Sequence, residues 1–391
     1  MMVMIYKILS QKYDVVCTNP PYMGGSGMNA KLSDFVKKNF PDSKSDLFAT
    51  FIEKGLTLTK KNGFSSMVTM QSWMFLSSFE NMRTKLLNAD NITNLMHMEN
   101  MVMGIAFGTA VSIFRNNHIT GYKGTYNHIK LSNLVKDEHD NDIPASFPIK
   151  ENRFAQVSTE NFSKIPGMPV AYWVSERMFK VFEGKKLFDY GRTCQGLATA
   201  DNNRFLRLWY EVDNHNVYWN CSNHQESKES NLKWYPCTKC GSFRRWYGNM
   251  EYLVNWQNDG YELRNFKASV IRNPDYYFKK ACTWSTISSG IFSLRLAETG
   301  SVFESKGAKL FIANDKEFNY ILGLMNTKVI QYTLTFLAPT LDYHEGPLSR
   351  VPVIVKENTI VDSLVEECVD ICKTDWDSFE TSWDFEQHPL I

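Results

Sequence analysis

The chain has 391 residues, 43% of them hydrophobic, which is enough apolar content for two domains of ordinary size. Its 43 Lys and Arg residues nearly balance 42 Asp and Glu residues, so a polyanionic partner would have to bind a local basic patch. Eight scattered cysteines are typical of a reducing compartment, and the sequence contains no export signal and no apolar run long enough for a membrane span. We therefore expect a cytoplasmic protein without membrane contact.

Strand-like and helix-like patterns alternate along the first third of the chain, which predicts an α/β domain covering residues 1–130. The predicted elements are a strand at residues 15–17, a helix opened by Ser45 and Asp46 and ended by residues 60–63, a strand at residues 64–70, a helix capped by Ser77 and Glu80, and strands at residues 92–98 and 109–114. The last two strands are too close in sequence for a crossover helix, so we expect them to be antiparallel neighbours.

The composition changes after residue 130, and the polar run at residues 136–142 is predicted to be a linker. A second domain, residues 131–391, is rich in Trp, Tyr and Arg and is predicted to be α+β. Its predicted elements are strands at residues 270–271 and 309–312 and helices at residues 318–325 and 360–373. The acidic and aromatic segment 375–391 resembles a connection to further sequence, so we expect this domain to be incomplete at its C-terminus.

The stretch YDVVCTNPPYMGG places Asn19, Pro20, Pro21 and Tyr22 at the exit of the first strand. The prolines hold this corner extended and bring no N–H, so the carbonyls of the Pro20 backbone and the Asn19 side chain converge as two acceptors. Such a pair suits an exocyclic amine with two N–H donors, and the Tyr22 ring offers a surface for purine stacking. Proline-rich turns are common in loops, but ligands of open α/β sheets bind at the carboxyl ends of strands. The corner therefore predicts transfer of a group to a planar amino nitrogen.

This corner resembles the N/D-P-P-Y motif of the adenine-specific amino-group DNA methyltransferases. The resemblance extends over nearly the whole chain to the PglX family of BREX phage-defence adenine methyltransferases, through YDVVCTNPPYMGGSGMNAKLSDFVKKNFPDSKSDLFATFIEKG, MQSWMFLSSFENMR, GIAFGTAVSIFRN and QGLATADNNRFLRLWYEV. It implies N6 methylation of a flipped adenine in double-stranded DNA, with S-adenosylmethionine as the methyl donor. It also implies catalytic roles for Asn19, Pro20, Pro21 and Tyr22, and places Phe107 against the flipped base.

Two features depart from the family pattern. The family carries a glycine-rich cofactor motif upstream of the NPPY strand, whereas no Gly-x-Gly loop precedes Tyr13. We therefore expect a chain truncated at both ends that forms the second half of a Rossmann-like methyltransferase sheet. A separate chain would supply the cofactor-binding half, and other BREX components are further expected partners. The second departure is Thr199-Ala200, which replaces a Thr-Gly step, and alanine would disturb this turn if the backbone needs a positive φ.

Arginine and aromatic residues alternate in the second domain, a mixture that suits phosphate and base contacts but also occurs at protein interfaces. With the family resemblance, we expect this domain to be a target-recognition domain that binds DNA through Arg192, Arg204, Arg207, Arg244 and Arg245.

One group of cysteines and histidines is compatible with either a zinc site or an ordinary turn. Cys237 and Cys240 form one C-x-x-C pair, and Cys221, His215 and His224 lie nearby in sequence. Because only one such pair exists and the remaining spacing is irregular, we predict no metal.

Two alternative functions remain compatible with the sequence. The NPPY corner also occurs in RNA and protein-glutamine methyltransferases, which use similar amine or amide chemistry. The missing glycine loop keeps open a non-catalytic DNA-binding remnant or subunit.

Overall fold

The computed structural model describes residues 6–8, 10–288, 290–339, 342–356 and 359–391. The chain forms two compact units, Met1–Glu183 and Gly184–Ile391. This division falls later than the predicted boundary at residue 130, because a strand at Arg153–Ser158 joins the first sheet and residues 162–172 contribute side chains to the first core. Among the described residues, no helix is long and apolar enough to span a membrane.

A six-stranded mixed sheet and a separate hairpin form the strands of the first unit. These strands are β1 (Tyr13–Thr18), β2 (Thr59–Met70), β3 (Asn91–Met98), β4 (Thr109–Arg115), β5 (Lys123–Ile129), β6 (Leu134–Lys136), β7 (Asp142–Pro144) and β8 (Arg153–Ser158). The sheet has the order β1-β2-β4-β3-β5-β8, and β6 pairs with β7. The prediction that β3 and β4 are antiparallel neighbours is confirmed. The predicted linker at residues 136–142 is wrong, since these residues form the turn of the β6/β7 hairpin.

The helices of the first unit include α1 (Ala30–Asn39), α2 (Leu47–Leu58), α3 (Glu80–Ala89) and α4 (Glu176–Val181). The Asp46 side chain accepts a hydrogen bond from the Phe48 N–H, which confirms the predicted opening of α2. The predicted Ser77 cap is wrong, because a 3₁₀ turn at Ser77–Phe79 precedes α3 and Phe79 occupies the N-cap position. Apolar residues of α2 and α3, including Phe48, Ile52 and Leu86, pack with those of the sheet into one core.

The second unit is α+β, as predicted, with two four-stranded sheets. Its strands are β9 (Gly191–Cys194), β10 (Leu206–Leu208), β11 (Trp234–Thr238), β12 (Tyr252–Asn255), β13 (Ala281–Thr283), β14 (Arg295–Ala297), β15 (Val302–Phe303) and β16 (Lys309–Ile312). Its helices are α5 (Asn202–Phe205), α6 (His224–Glu229), α7 (Gln257–Asn265), α8 (Phe318–Met325), α9 (Lys328–Leu337), α10 (Glu345–Ser349) and α11 (Thr359–Asp377).

The sheets of this unit have the orders β10-β12-β11-β15 and β14-β13-β16-β9. The predictions of β16, α8 and α11 are confirmed. The strand predicted at residues 270–271 is wrong, because Val270 forms only an isolated bridge with Ala198.

Strand directions bring several loops of the first unit to one edge of its sheet. β1 is parallel to β2, and β4 is antiparallel to both β2 and β3, so β1, β2 and β3 end on the same side. We call this side the carboxyl edge, and it carries residues 19–22 after β1, residues 71–74 after β2 and residues 99–108 between β3 and β4. Ligands of open α/β sheets bind at such an edge.

Candidate active site

The NPPY corner follows β1 directly and is fixed to the start of α2. The Met23 N–H donates to Oδ1 of Asp46 at 2.9 Å, and the Leu47 N–H donates to the Met23 carbonyl at 3.1 Å. Asp46 thus caps α2 and holds the residue that follows Tyr22. Pro20 is buried whereas Asn19 is exposed, and within the described chain the Asn19 amide has no hydrogen-bond partner of its own. The Asn19 carbonyl oxygen is therefore free to accept a hydrogen bond from a ligand.

Tyr22 is half-buried, and both its hydroxyl and its ring are held in place. The hydroxyl donates to the Val68 carbonyl of β2 at 3.2 Å, and the ring packs edge-on against Phe48 with a centroid distance of 6.1 Å. Burial raises the pKa of the Tyr22 phenol above its usual value, so the hydroxyl stays a donor at neutral pH. These contacts fix the orientation in which Tyr22 presents its ring at the carboxyl edge.

The structure brings Phe107 against Tyr22, although 85 positions separate them in sequence (107 minus 22). Their ring centroids lie 5.7 Å apart at an interplanar angle of 68°. A base sandwiched between two rings needs them parallel and about 7 Å apart, twice the roughly 3.5 Å contact distance between carbon atoms. The observed pair is a direct T-shaped contact, so a base can enter between these rings only if Phe107 moves.

Sequence reasoning missed a polar group at the same edge. Gln71 follows β2 directly, its N–H donates to the Gly108 carbonyl at 3.0 Å, and its side-chain Nε2 donates to Oδ1 of Asn100 at 3.3 Å. A Cβ at Gly108 would lie 2.4 Å from the Gln71 amide carbon, which explains why glycine follows Phe107. The available signal was a polar residue at the exit of the strand beside β1.

The five predicted DNA-contact arginines lie on four segments of the second unit, with Arg244 and Arg245 adjacent in the loop between β11 and β12, and two of the five are engaged in ion pairs. Arg204 contacts Glu262 at 2.7 Å, and Arg244 contacts Asp375 at 2.8 Å. These two guanidinium groups are therefore partly neutralised within the unit.

The other three arginines have no carboxylate partner in the described part of the chain. Arg207 donates to backbone carbonyls of Asn203 and Leu206, whereas Arg192 and Arg245 lie over the rings of Tyr276 and Phe243 at 5.3 and 5.6 Å. The charges of Arg192 and Arg245 are the more available of the predicted set for an external anion.

Three residues of the possible zinc site, Cys237, Cys221 and His224, have other environments. Burial raises the pKa of the Cys237 thiol to about 12 and of the Cys221 thiol to about 11, and both thiols are therefore protonated at neutral pH. His224 faces the Asp259 carboxylate through Nδ1 and the Pro274 carbonyl through Nε2, so neither ring nitrogen is available to a metal.

Comparison with known proteins gives three findings. The family model of the Eco57I restriction-modification methylase matches residues 3–102. The chain is 39% identical to the adenine-specific methyltransferase BrxX of Escherichia coli O9:H4 (strain HS), over 98% of this chain and 31% of that protein. It is 33% identical to the adenine-specific methyltransferase PglX of Lacticaseibacillus casei (strain Zhang), over 100% of this chain and 33% of that protein.

Among solved structures, the chain resembles the Type IIL restriction-modification enzyme MmeI in complex with DNA, with a TM-score of 0.57 at 13% identity, over 95% of this chain and 50% of that chain. This likeness supports the methyltransferase-type fold. The chain spans about a third of the length of the two curated relatives. Over the length that it spans, the chain is similar to the adenine-specific methyltransferases BrxX and PglX.

Proposed function

We propose that this chain carries the adenine-binding side of a site-specific DNA N6-adenine methyltransferase that acts in phage defence. The observation that carries the proposal is the stiff NPPY corner at the carboxyl edge, where Tyr22 and Phe107 stand together beside the free carbonyl of Asn19. Sequence similarity to two proteins named adenine-specific methyltransferases supports adenine as the base.

The corner acts on the amine by accepting hydrogen bonds from its two N–H groups. The Asn19 side-chain oxygen and the Pro20 carbonyl each accept one N6–H, and Pro21 offers no competing donor to the Pro20 carbonyl. Acceptors that lie to one side of the amine favour a tetrahedral geometry at N6. The N6 lone pair is then no longer conjugated with the ring, so the nitrogen becomes a nucleophile. The N6 proton is lost after the methyl group has arrived, so the corner needs no strong general base.

The aromatic pair holds the rest of the base. We propose that Tyr22 stacks on one face of the flipped adenine and that Phe107 moves aside and closes the other face. Stacking on an aromatic side chain is worth roughly 1–3 kcal/mol per base. The Tyr22 hydroxyl, bound to Val68, keeps its ring in the stacking orientation while Phe107 moves.

S-adenosylmethionine is the methyl donor that we propose, but the described residues do not form a cradle for it. β1 is an edge strand, and its outward Val15 side chain is 60% exposed. Asp14 on β1 pairs with Lys60 at 2.9 Å and lies at the far end of the strand from Asn19. We therefore place the cofactor contacts on polypeptide outside this chain and derive no catalytic step through the cofactor.

We propose that the second unit binds double-stranded DNA and contributes to target recognition. Arg192 and Arg245 carry the most available charges of the predicted set, whereas Arg204 and Arg244 act mainly within the unit. Phosphate contacts of this kind make binding fall with rising salt. A gel shift on duplex DNA at low and high salt tests this part separately.

A non-catalytic DNA-binding subunit is the second candidate function, and the absence of a cofactor cradle among the described residues favours it. The two candidates are separated by purifying a tagged chain from its natural host, with whatever partners accompany it, and supplying tritiated S-adenosylmethionine and unmethylated DNA. Incorporation of label as N6-methyladenine supports the enzyme. DNA binding with no incorporation supports the subunit, and the isolated chain is expected to bind S-adenosylmethionine weakly.

A further inference from the structure

A continuous set of hydrogen bonds leads from the core of the first unit to the residue that follows Phe107. His97 of β3 contacts the Tyr172 hydroxyl through Nδ1 at 3.0 Å and Oε1 of Gln71 through Nε2 at 2.5 Å. Gln71 in turn bonds to Asn100 and, through its backbone, to Gly108. We call Tyr172, His97 and Gln71 the relay. Its outer end touches the loop that carries Phe107.

The direction of each bond in the relay follows from the chemistry of its members. Burial, together with the neighbouring His128, lowers the pKa of His97 to about 3, so its ring is neutral and carries one N–H. The Gln71 carbonyl oxygen can only accept, so the N–H must be at Nε2. Nδ1 then accepts from the Tyr172 hydroxyl, and the Gln71 amide nitrogen is left facing Asn100.

Ring packing holds His97 rigid in the middle of the relay. The His128 ring stacks on it at 4.7 Å with an interplanar angle of 5°, and the Trp173 ring lies on it at 6.4 Å with an angle of 25°. Tyr172 itself is 2% exposed and stacks on Tyr126 at 5.1 Å. An imidazole fixed in this way can orient the Gln71 amide in only one direction.

We propose that Gln71 is a positioning residue of the adenine site, and that the relay anchors the Gly108 backbone, next to which the Phe107 ring moves aside to admit the flipped base. The Gln71 side-chain amide fills the space that a Cβ at Gly108 would need, and the Gln71 N–H donates to the Gly108 carbonyl at 3.0 Å, so Gln71 fixes the residue next to Phe107. The inference rests on the proposed function, because it assigns the ring of Phe107 to the base.

Hydrogen exchange measured by mass spectrometry on the whole chain tests the positioning without any need for activity. Gln71→Met and Tyr172→Phe are expected to speed exchange of the amides of residues 101–108 by about ten-fold, the effect of losing one net hydrogen bond, while β4 keeps its protection. Tyr126→Phe is the matched control. Its hydroxyl is buried in the same core and has no partner among the described residues, so its removal should leave residues 101–108 unchanged.

A double-mutant cycle on methyl transfer by the purified complex separates positioning from general destabilisation. Gln71→Met is expected to lower kcat by about ten-fold at unchanged KM for DNA, and to change kcat less than about two-fold when Phe107 is already Ala. The inference would be overturned if Gln71→Met lowered kcat by the same factor in the wild type and in Phe107→Ala. It would also be overturned if hydrogen exchange of residues 101–108 were unchanged in both Gln71→Met and Tyr172→Phe. Failure of the proposed function itself would be recognised separately, because Asn19→Ala would then methylate DNA at the wild-type rate.

Discussion

The neutral, buried His97 makes the stability of the first unit depend on pH in a defined direction. An unfolded histidine takes up its proton near pH 6.5, whereas His97 in the folded unit does so near pH 3. Between these values the unfolded state binds more protons, so stability is full above pH 6.5 and is lost as the pH falls. The loss is about 1.4 kcal/mol per pH unit, or about 2 kcal/mol at pH 5.

The assay is urea unfolding at pH 7 and pH 5, followed through hydrogen exchange of peptides from β3, for the wild type and for His97→Asn. His97→Asn lacks the same hydrogen bonds at both pH values, so the comparison uses only the change in its free energy of unfolding between pH 7 and pH 5. Burial raises the pKa of Asp90 to about 7, which favours the folded unit as the pH falls and opposes His97, but both proteins share this group. Between pH 7 and 5, the wild type should lose about 2 kcal/mol more than the variant. An equal pH dependence would refute a neutral His97 and the bond directions of the relay.

Three further predictions address the ring, a strained backbone position and the arginines. Tyr22→Ala should lower methyl incorporation by at least about five-fold through lost stacking, whereas Tyr22→Phe should keep most of it, and equal rates for both variants would contradict the stacking role. Ala200 has a φ of 57°, so Ala200→Gly should raise the free energy of unfolding by roughly 0.5–1 kcal/mol, while Ala198→Gly should lower it; thermal unfolding of the chain distinguishes these outcomes. Arg192→Gln should weaken duplex binding and reduce the salt slope by about one, and Arg204→Gln should do so less; a gel shift that finds equal losses would contradict the different availability of the two charges.

Local signals predicted those parts of the fold whose cause is local. The apolar spacing of α2 and the Asp46 cap lie within a few residues of each other, and both are present in the structure. The extent of the first unit was not predictable in this way, because β8 belongs to it only through pairing with β5. The polar segment before β8 looked like a linker, since a short surface hairpin has the same composition as a loop.

The candidate site likewise has one part that the local sequence predicts and another part that only the folded structure reveals. The NPPY corner is a continuous motif, and the positive φ suspected at Ala200 is present. The relay could not be predicted, because Tyr172 and His97 are 75 positions apart and meet only where the turn that contains Tyr172 packs against β3. The pairing of Arg204 with Glu262, 58 positions away, was equally unpredictable, and it reduces the charge that this arginine presents to an external anion.

The central claim is that Asn19 accepts a hydrogen bond from the amine that is methylated. The most direct measurement is the amount of N6-methyladenine formed in unmethylated duplex DNA by the complex purified from the natural host, compared between wild type and Asn19→Ala, with a gel shift on the same duplex. We expect Asn19→Ala to abolish methylation and to leave DNA affinity nearly unchanged, because the amide serves the reacting nitrogen and not the phosphates. Methylation by Asn19→Ala at a near wild-type rate would contradict the claim and reduce the corner to a stiff turn.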